Sequence, residues 1–439
     1  MASVENDGKI YALINYEDTY VQTLILSALE KCFPPATYQL ITSMNQLPSP
    51  SSRLLQWVQY ESIDFEHLME HSSTSFANAY IIRKALIRKH YLSTTIANWT
   101  TKYPDSPLKQ HVKPSVEFEV DYAEFLDDAL VEAWDLKESW ARNEGKEAKD
   151  REYWILKPGM SDRGQGIRLF STEEELTSIF EEWDPPSDDD DEQEADARSD
   201  DANNDGIMTS QLRHFIAQPY IHPPLLFPSP SCPTSEPRKF HIRTYVLATG
   251  ALQVYVYRDM LALFAAKPYL APWQSSGTPK EDLRAHLTNT CLQDSGDREG
   301  SVALFHHLPR PLPPASSSTD TPWTHTVFSH ICTITRDTFL AAARSMAVHF
   351  QPLPNAFEIF GLDFMCSLDE HGDLRTWLLE VNAFPDFRQT GEECKGVVEG
   401  LFEGVVGIVA GEMMGVDGVK AGEKDGGMVR VLDVDLGRR

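Results

Sequence analysis

The chain has 439 residues, of which 41% are hydrophobic and 24% charged, and its formal net charge is −27. This length allows two or three domains around a large core, and the composition is that of an ordinary globular protein. The charge is not ordinary: such a surface repels nucleic acid and anionic lipid, which excludes a general nucleic-acid groove and a membrane surface as partners.

"KIYALINY" (9–16) alternates like a strand, and "VQTLILSALEK" (21–31) follows with helical spacing, so the N-terminus begins as an α/β unit. "LPSPSSR" (47–53) is a loop. "NAYIIRKALIRKHYL" (78–92) has the period of a helix with a cationic side, and 122–142 that of an acidic amphipathic helix. "YWILKP" (153–158) is a short strand, "GMSDRGQG" (159–166) a glycine-punctuated turn and "IRLF" (167–170) a returning strand, after which Ser171 caps a helix beginning near Glu173. Residues 184–205 hold eleven acids against Arg198, a local charge of −10 that leaves about −17 for the rest. Without apolar periodicity, 184–210 is expected to be disordered.

"HFIAQPYI" (214–221) is another strand, followed by a proline-rich loop at 223–237. Strands follow at "KFHIRTYVL" (239–247), "LQVYVYRD" (252–259) and "LALFAA" (261–266). Residues 308–322 are a second flexible insertion and 336–350 a helix. "DFMCSLDEHGDLRTWLLEVN" (363–382) is a hairpin turning at Asp369–Gly372, a helix spans about 394–414, and the glycine-rich end, 411–439, is a loose tail. The six cysteines form no Cys-x-x-Cys and read as buried thiols of a reducing compartment. The first residues carry Glu5 and Asp7 and no apolar segment of a signal peptide, and the apolar run 404–411 is too short to span a bilayer. A cytoplasmic protein with no membrane partner is expected.

The chemistry begins at the hairpin. Residues i and i+2 of a strand share a face, so Glu380 and Asn382 project together, and the hairpin brings Asp363 beside them. Two carboxylates and an amide are hard oxygen donors that suit Mg²⁺ far better than Zn²⁺. On "KFHIRTY", Lys239, His241, Arg243 and Tyr245 share one face; alone this pattern equally suits an exposed sheet face. With Lys157 and Arg258, the row supplies the positive charge that a triphosphate, with roughly four negative charges, requires. In "SDRGQG", Gly164 and Gly166 allow a backbone to approach phosphates, although no Walker A motif is present. The segment Gln218, Pro219, Tyr220, Ile221 offers backbone groups to a base edge; alone it is equally a plain strand end. Neither "YRD" nor "LDFM" sits in a kinase context.

In order along the chain, "RKALI", "YWILKP", "SDRGQG", "QPYI", "RKFHIRTYVL", "YVYRD", "HLTNTCLQ", "FEIFGLDFM" and "WLLEVN" span residues 83–382. This series resembles the tubulin-tyrosine ligase family, in a divergent, fungal-type branch. The resemblance implies an ATP-grasp fold of class α/β (α+β), with mixed and antiparallel sheets. It divides the chain into a small N-terminal α/β domain (1–75), a central ATP-grasp domain (76–220), a C-terminal ATP-grasp domain (221–410) and the tail. It also implies that ATP activates a protein carboxylate as an acyl phosphate, which the amine of a free amino acid attacks; the tubulin C-terminal tail is the acceptor by resemblance. Lys84 and Lys157 match nucleotide-binding lysines, Gln218 to Ile221 the adenine segment, and Lys239 and His241 the sugar and phosphate contacts. Arg243 matches a substrate-side arginine and Arg258 a phosphate-stabilising one. Asp363, Glu380 and Asn382 match the Mg²⁺ ligands, and Thr288 and Asn289 lie in a motif lining the same cleft.

Two departures stand out. His241 occupies a position where the family usually has Asp, and "NAFPDFRQTG" (382–391) carries an Asp386–Arg388 pair suited to reshaping the acceptor site. Two alternatives follow: a nucleotide-binding interaction module that has lost ligation, and an ATP-grasp ligase acting on a small carboxylic acid.

Overall fold

In the computed structural model, the alternating run at the N-terminus forms strand β1 (Ile10–Asn15), and Asp18 then caps helix α1 (Thr19–Cys32) by accepting from the N–H groups of Tyr20 and Val21. Val21, Leu24, Ile25, Ala28, Leu29 and Cys32 bury one face of α1. β2 (Tyr38–Ile41), β3 (Arg53–Val58), helix α2 (Phe65–Glu70) and β4 (Ser75–Ala77) complete a parallel sheet of order β2-β1-β3-β4. The structure describes residues 8–160, 164–184, 209–229, 234–275, 277–288, 301–309, 322–390, 394–419 and 427–437. The acidic run expected to be disordered therefore lies almost wholly outside the described residues, and so does most of the insertion 308–322.

The single helix expected over 78–92 is two: α3 (Lys84–Ile87) and α4 (Lys89–Lys102), separated by Arg88 in an extended conformation, φ −101° and ψ 121°. A buried ion pair accounts for the irregular entry. Arg83 Nε lies 2.8 Å from Glu358 Oε1, the Tyr80 N–H donates to Glu358 Oε2, and the Arg83 guanidinium donates back to the Tyr80 carbonyl. Burial raises Glu358 to about 8, against the pull of Arg83. Hydrophobic period is blind to such a pair.

After α5 (Leu108–His111) comes an antiparallel sheet of order β5-β8-β6-β7, built from β5 (Val116–Glu119), β6 (Trp154–Pro158), β7 (Arg168–Phe170) and β8 (His214–Pro219). The acidic helix expected over 122–142 breaks into α6 (Leu126–Ala129) and α7 (Trp134–Asn143); Leu126, Leu130, Ala133 and Leu136 are buried across the break, which is why their spacing reads as one helix. The cap of α8 (Glu173–Trp183) is Thr172 rather than Ser171, whose N–H and hydroxyl instead donate to Glu175. α9 (Thr209–Leu212) leads into β8.

The third sheet comprises β9 (Leu226–Phe227), β10 (Arg238–Thr249), β11 (Gln253–Tyr257), β12 (Leu261–Phe264), β13 (Val302–Leu304), β14 (Phe357–Leu368), β15 (Leu374–Ala383) and β16 (Met428–Asp433). α10 (Pro279–His286) and α11 (Trp323–Ser345) intervene, and α12 (Lys395–Ile408) precedes β16. α11 begins thirteen residues before the expected 336 and ends at 345; its threonine-rich first half has weak helix propensity, but Val327, Ile331 and Ile334 carry the buried face through it. The tail is not wholly loose: β16 pairs antiparallel with β11, and Leu432 joins the core beneath it. α12 packs on α1 in a core shared with the N-terminal sheet, and Lys31 Nζ reaches Glu403 at 2.6 Å. Among the described residues no helix is long and apolar enough to cross a membrane.

Removing residues 427–439 strips β11 of its edge partner and exposes the apolar face around Leu432. Stability is expected to fall by about 3 kcal/mol, measured by urea unfolding; an unchanged midpoint would show that β16 adds nothing to the fold.

Candidate active site

The site is built across three neighbouring strands. Arg243 on β10 lies opposite Asp363 on β14, and Asp363 lies opposite Glu380 on β15, with Asn382 facing Gly361. A bulge follows Asp363, so that Leu379 has no cross-strand partner in the register and the aim of β15 shifts next to Glu380. Gly361 is needed for the approach of β10: a Cβ there would lie 2.9 Å from Pro385 Cβ and 3.3 Å from Arg243 Cδ.

Arg243 grips Asp363 with two hydrogen bonds, Nε to Oδ1 at 2.5 Å and a terminal nitrogen to Oδ2 at 3.0 Å. Burial disfavours the Arg243 charge, but Asp363 beside it holds the guanidinium protonated well above its ordinary range. Asn382 Nδ2 donates to Glu380 Oε1 at 3.1 Å and to Asp363 Oδ2 at 3.4 Å, and Lys89 Nζ lies 3.2 Å from Glu380 Oε2. Burial alone would raise Glu380; Lys89, the Asn382 amide and Lys157 outweigh it and hold the carboxyl well below the usual range. Asp363, Glu380 and Asn382 thus meet on one sheet face. Among the described residues no group of three or more His, Cys, Asp or Glu side chains is poised for a metal, so a cation here would rely on two carboxylates and on the Asn382 oxygen, which the amide, now donating from Nδ2 to both carboxylates, would present only after turning over. That set of hard donors fits Mg²⁺.

Beside these oxygens runs a row of buried nitrogen-bearing side chains. Lys239, His241 and Arg243 are 4%, 2% and 8% exposed, which rules out the solvent-facing sheet that their alternation equally suited. Lys157 Nζ donates to Gln218 Oε1 at 2.9 Å, and Lys239 Nζ to the Tyr220 hydroxyl at 3.0 Å. Burial lowers Lys157 to about 8 and Lys239 to about 7, with lysine–lysine repulsion adding to both. His241 Nδ1 lies 2.5 Å from Thr288 Oγ1. Among the described residues its Nε2 has no hydrogen-bond partner, and it stands 3.6 Å from Asp363 Oδ1; burial lowers its pKa, so the ring is neutral.

One cavity gathers most of these groups, Arg243 lying outside its lining. Lys89, Lys157, Lys239, His241, Asp363, Glu380 and Asn382 are its polar lining, and Ile155, Ile167, Ile221, Leu287, Met365 and Leu379 are apolar. Gln218, Pro219, Tyr220 and Thr288 also line it. The Gln218 amide is committed, because Nε2 donates to the Lys113 carbonyl and to Ser115 Oγ. Gly164 lines the cavity with φ +77°, while Gly166, with φ +71°, packs against Pro158, which any Cβ would meet at 2.6 Å.

The structure places Lys84, Arg258 and the Asp386–Arg388 pair outside the cavity lining. Lys84 is exposed at the start of α3 and does not line the cavity; Lys89 does. The sequence hid this because a continuous helix puts Lys84 and Arg88 on one side, whereas the break at Arg88 turns Lys89 inward. Arg258 is exposed at the end of β11, with its guanidinium 5.5 Å from the Phe328 ring centroid, away from the cavity lining. Arg388 pairs with Asp18, the cap of α1, at 2.7 Å, so the Asp386–Arg388 segment straps the end of β15 to the N-terminal sheet. Asn289 lies outside the described residues.

The sequence profile described as "Tubulin-tyrosine ligase family" matches residues 66–414. The chain belongs to the tubulin-tyrosine ligase family. It is 41% identical over 409 residues to a "Probable tubulin--tyrosine ligase" of Schizosaccharomyces pombe, covering 92% of each chain. It is 42% identical over 399 residues to a "Probable tubulin--tyrosine ligase", PBY1, of Saccharomyces cerevisiae, covering 88% of this chain and 50% of that protein. Among solved structures it resembles the C-terminal domain of K. lactis Pby1, described as an ATP-grasp enzyme interacting with the mRNA decapping enzyme Dcp2. The TM-score is 0.66 and the identity 33%, over 97% of this chain and 99% of that one. The fold is the ATP-grasp fold, and together with the family it supports an ATP-dependent ligase.

The buried lysines set up a trade between stability and binding. With no anion present, Lys239→Met is expected to stabilise the protein by about 1–3 kcal/mol below pH 7. The native lysine has a folded pKa below its unfolded one, so the wild type recovers stability as pH rises above about 7 and the gain shrinks. Urea melts from pH 6 to pH 9 check this; a variant less stable than wild type at pH 6 would refute it.

Proposed function

We propose that this chain is an ATP-dependent carboxylate–amine ligase that joins an amino acid to a protein carboxylate through an acyl phosphate. One observation carries the reading: three lysines (Lys89, Lys157 and Lys239) and two carboxylates (Asp363 and Glu380) line one cavity together with apolar side chains, and Arg243, outside the lining, pairs with Asp363. That mixed lining suits a nucleotide, with its base among Ile155, Ile221, Met365 and Leu379 and its phosphates on Lys157 and Lys239. Asp363, Glu380 and Asn382 would hold Mg²⁺, which when bound neutralises phosphate charge.

The residues divide the chemistry accordingly. The main chain of Pro219–Ile221 fixes the base edge. Lys157 and Lys239 hold the polyphosphate, and their burial makes each contact stronger than in water. Arg243, clamped by Asp363, presents a fixed positive charge to the acceptor carboxylate. An oxygen of that carboxylate bonds to the γ-phosphorus as the bond to ADP breaks. The amine nitrogen then bonds to the acyl carbon, phosphate leaves and the amine proton passes to solvent. The names of the S. pombe and S. cerevisiae relatives favour a tubulin tail as acceptor, and a free amino acid is the amine. The described free thiols fit the cytoplasm.

A second reading, a nucleotide-binding module without ligation, is favoured by His241, which places a neutral ring in the cavity lining, and by the partner named for the K. lactis domain.

Incubation with tubulin, Mg²⁺-ATP and each labelled amino acid is expected to give ATP-dependent incorporation, and Glu380→Gln to reduce it about 100-fold or more. ATP binding with no incorporation into tubulin or any protein of an extract favours the second reading. A further outcome follows from the lysines. Phosphates restore the charge of Lys157 and Lys239, so binding should take up protons near pH 8 and weaken as pH rises from 7 to 9. Calorimetry in two buffers of different ionisation enthalpy measures this; zero proton uptake at pH 8 would remove both lysines from the phosphate site.

A further inference from the structure

Residues 121–135, DYAEFLDDALVEAWD, carry six acids and no base. Leu126, Leu130, Ala133 and Leu136 are 3% exposed or less and join the core that includes Trp154 and Leu156 of β6, so this run is firmly seated. Its outer side is different. Tyr122, Phe125, Val131 and Trp134 are 52%, 47%, 55% and 68% exposed, four of the nine large hydrophobic side chains that stand out among the described residues. Tyr122 and Phe125 meet edge to face with centroids 6.2 Å apart. Glu124, Asp127, Asp128 and Glu132 make no ion pair among the described residues, whereas Asp121 is matched by Arg213 at 3.3 Å.

An indole two-thirds in water, on the same fifteen-residue run as three other exposed apolar side chains and four unmatched carboxylates, is the composition of an interaction surface. We propose that this face docks a basic linear segment of a partner protein, with arginine or lysine interleaved with large apolar side chains. The carboxylates select the charge, and the rings supply desolvated area and cation–π contact for guanidinium groups. The same charge disfavours an acidic tail, a nucleic acid and an anionic membrane. β6 also shows that the surface is separate from the cavity: Ile155 and Lys157 point to the cavity, while Trp154 and Leu156 point to the core under α6 and α7. A segment bound here leaves the nucleotide pocket open, and the proposal does not depend on the ligase reading.

The test uses the full chain and a fluorescein-labelled synthetic peptide of about twelve residues, arginine interleaved with leucine, followed by fluorescence anisotropy. Phe125→Ala/Trp134→Ala and Asp127→Asn/Asp128→Asn/Glu132→Gln are each expected to weaken binding about tenfold or more, with ATP affinity unchanged. Replacing the leucines of the peptide by serine should cost a similar factor. Equal binding by wild type and both variants would reduce the effect to the general charge of the protein and overturn the proposal. Sedimentation showing self-association that Phe125→Ala/Trp134→Ala abolishes would make a second copy the occupant and overturn it equally.

Discussion

Everything at the site depends on the bidentate pair between Arg243 and Asp363, buried between two central strands. Two charges in a sheet interior are costly to desolvate, and good geometry offsets that cost only in part. The surroundings are organised to hold the geometry: Gly361 leaves room for the arginine stem, the bulge after Asp363 re-aims the neighbouring strand, and Asn382 bridges Asp363 to Glu380. Glu380 is balanced in turn by Lys89 from a different part of the chain. The pair thus sets the place and orientation of the carboxylates that line the cavity.

The protein is strongly acidic, yet its cavity is cationic. Such segregation needs a boundary, and the central antiparallel sheet supplies one. Successive residues of β6 alternate between the lysine-lined cavity and the core that supports the acidic surface at 121–135. A cation-lined, low-dielectric cleft in an anionic body focuses its field on a small anion. The depressed lysines share one main cause, burial: it outweighs the pull of Glu380 on Lys157, and at Lys239 the charge of Lys157 adds to it.

Much of the fold was legible from period alone. The strand–helix start, the "YWILK" and "IRLF" strands, the long strand carrying Lys239 and Arg243 and the hairpin carrying Asp363, Glu380 and Asn382 all appear where alternation placed them. The failures share a cause. The break at Arg88, the early start of α11 and the strand at 428–433 are decided by contacts with residues far along the chain. A local window cannot see Glu358 drawing Arg83 and Tyr80 inward, or the open edge of β11 waiting for a partner.

The sequence by itself determined which chemical groups were available, and in what order: hard oxygen donors two apart on one strand, cations two apart on another, and a family pattern spanning both. Tertiary structure alone decided which of these groups meet. It brought in Lys89, left Lys84 and Arg258 outside the cavity and buried a cation row that alternation equally allowed on the surface. The physical reason is that period-2 and period-3.6 patterns specify which side of an element a residue occupies, whereas charge pairing across 120 residues, as between Arg243 and Asp363, depends on how the elements pack.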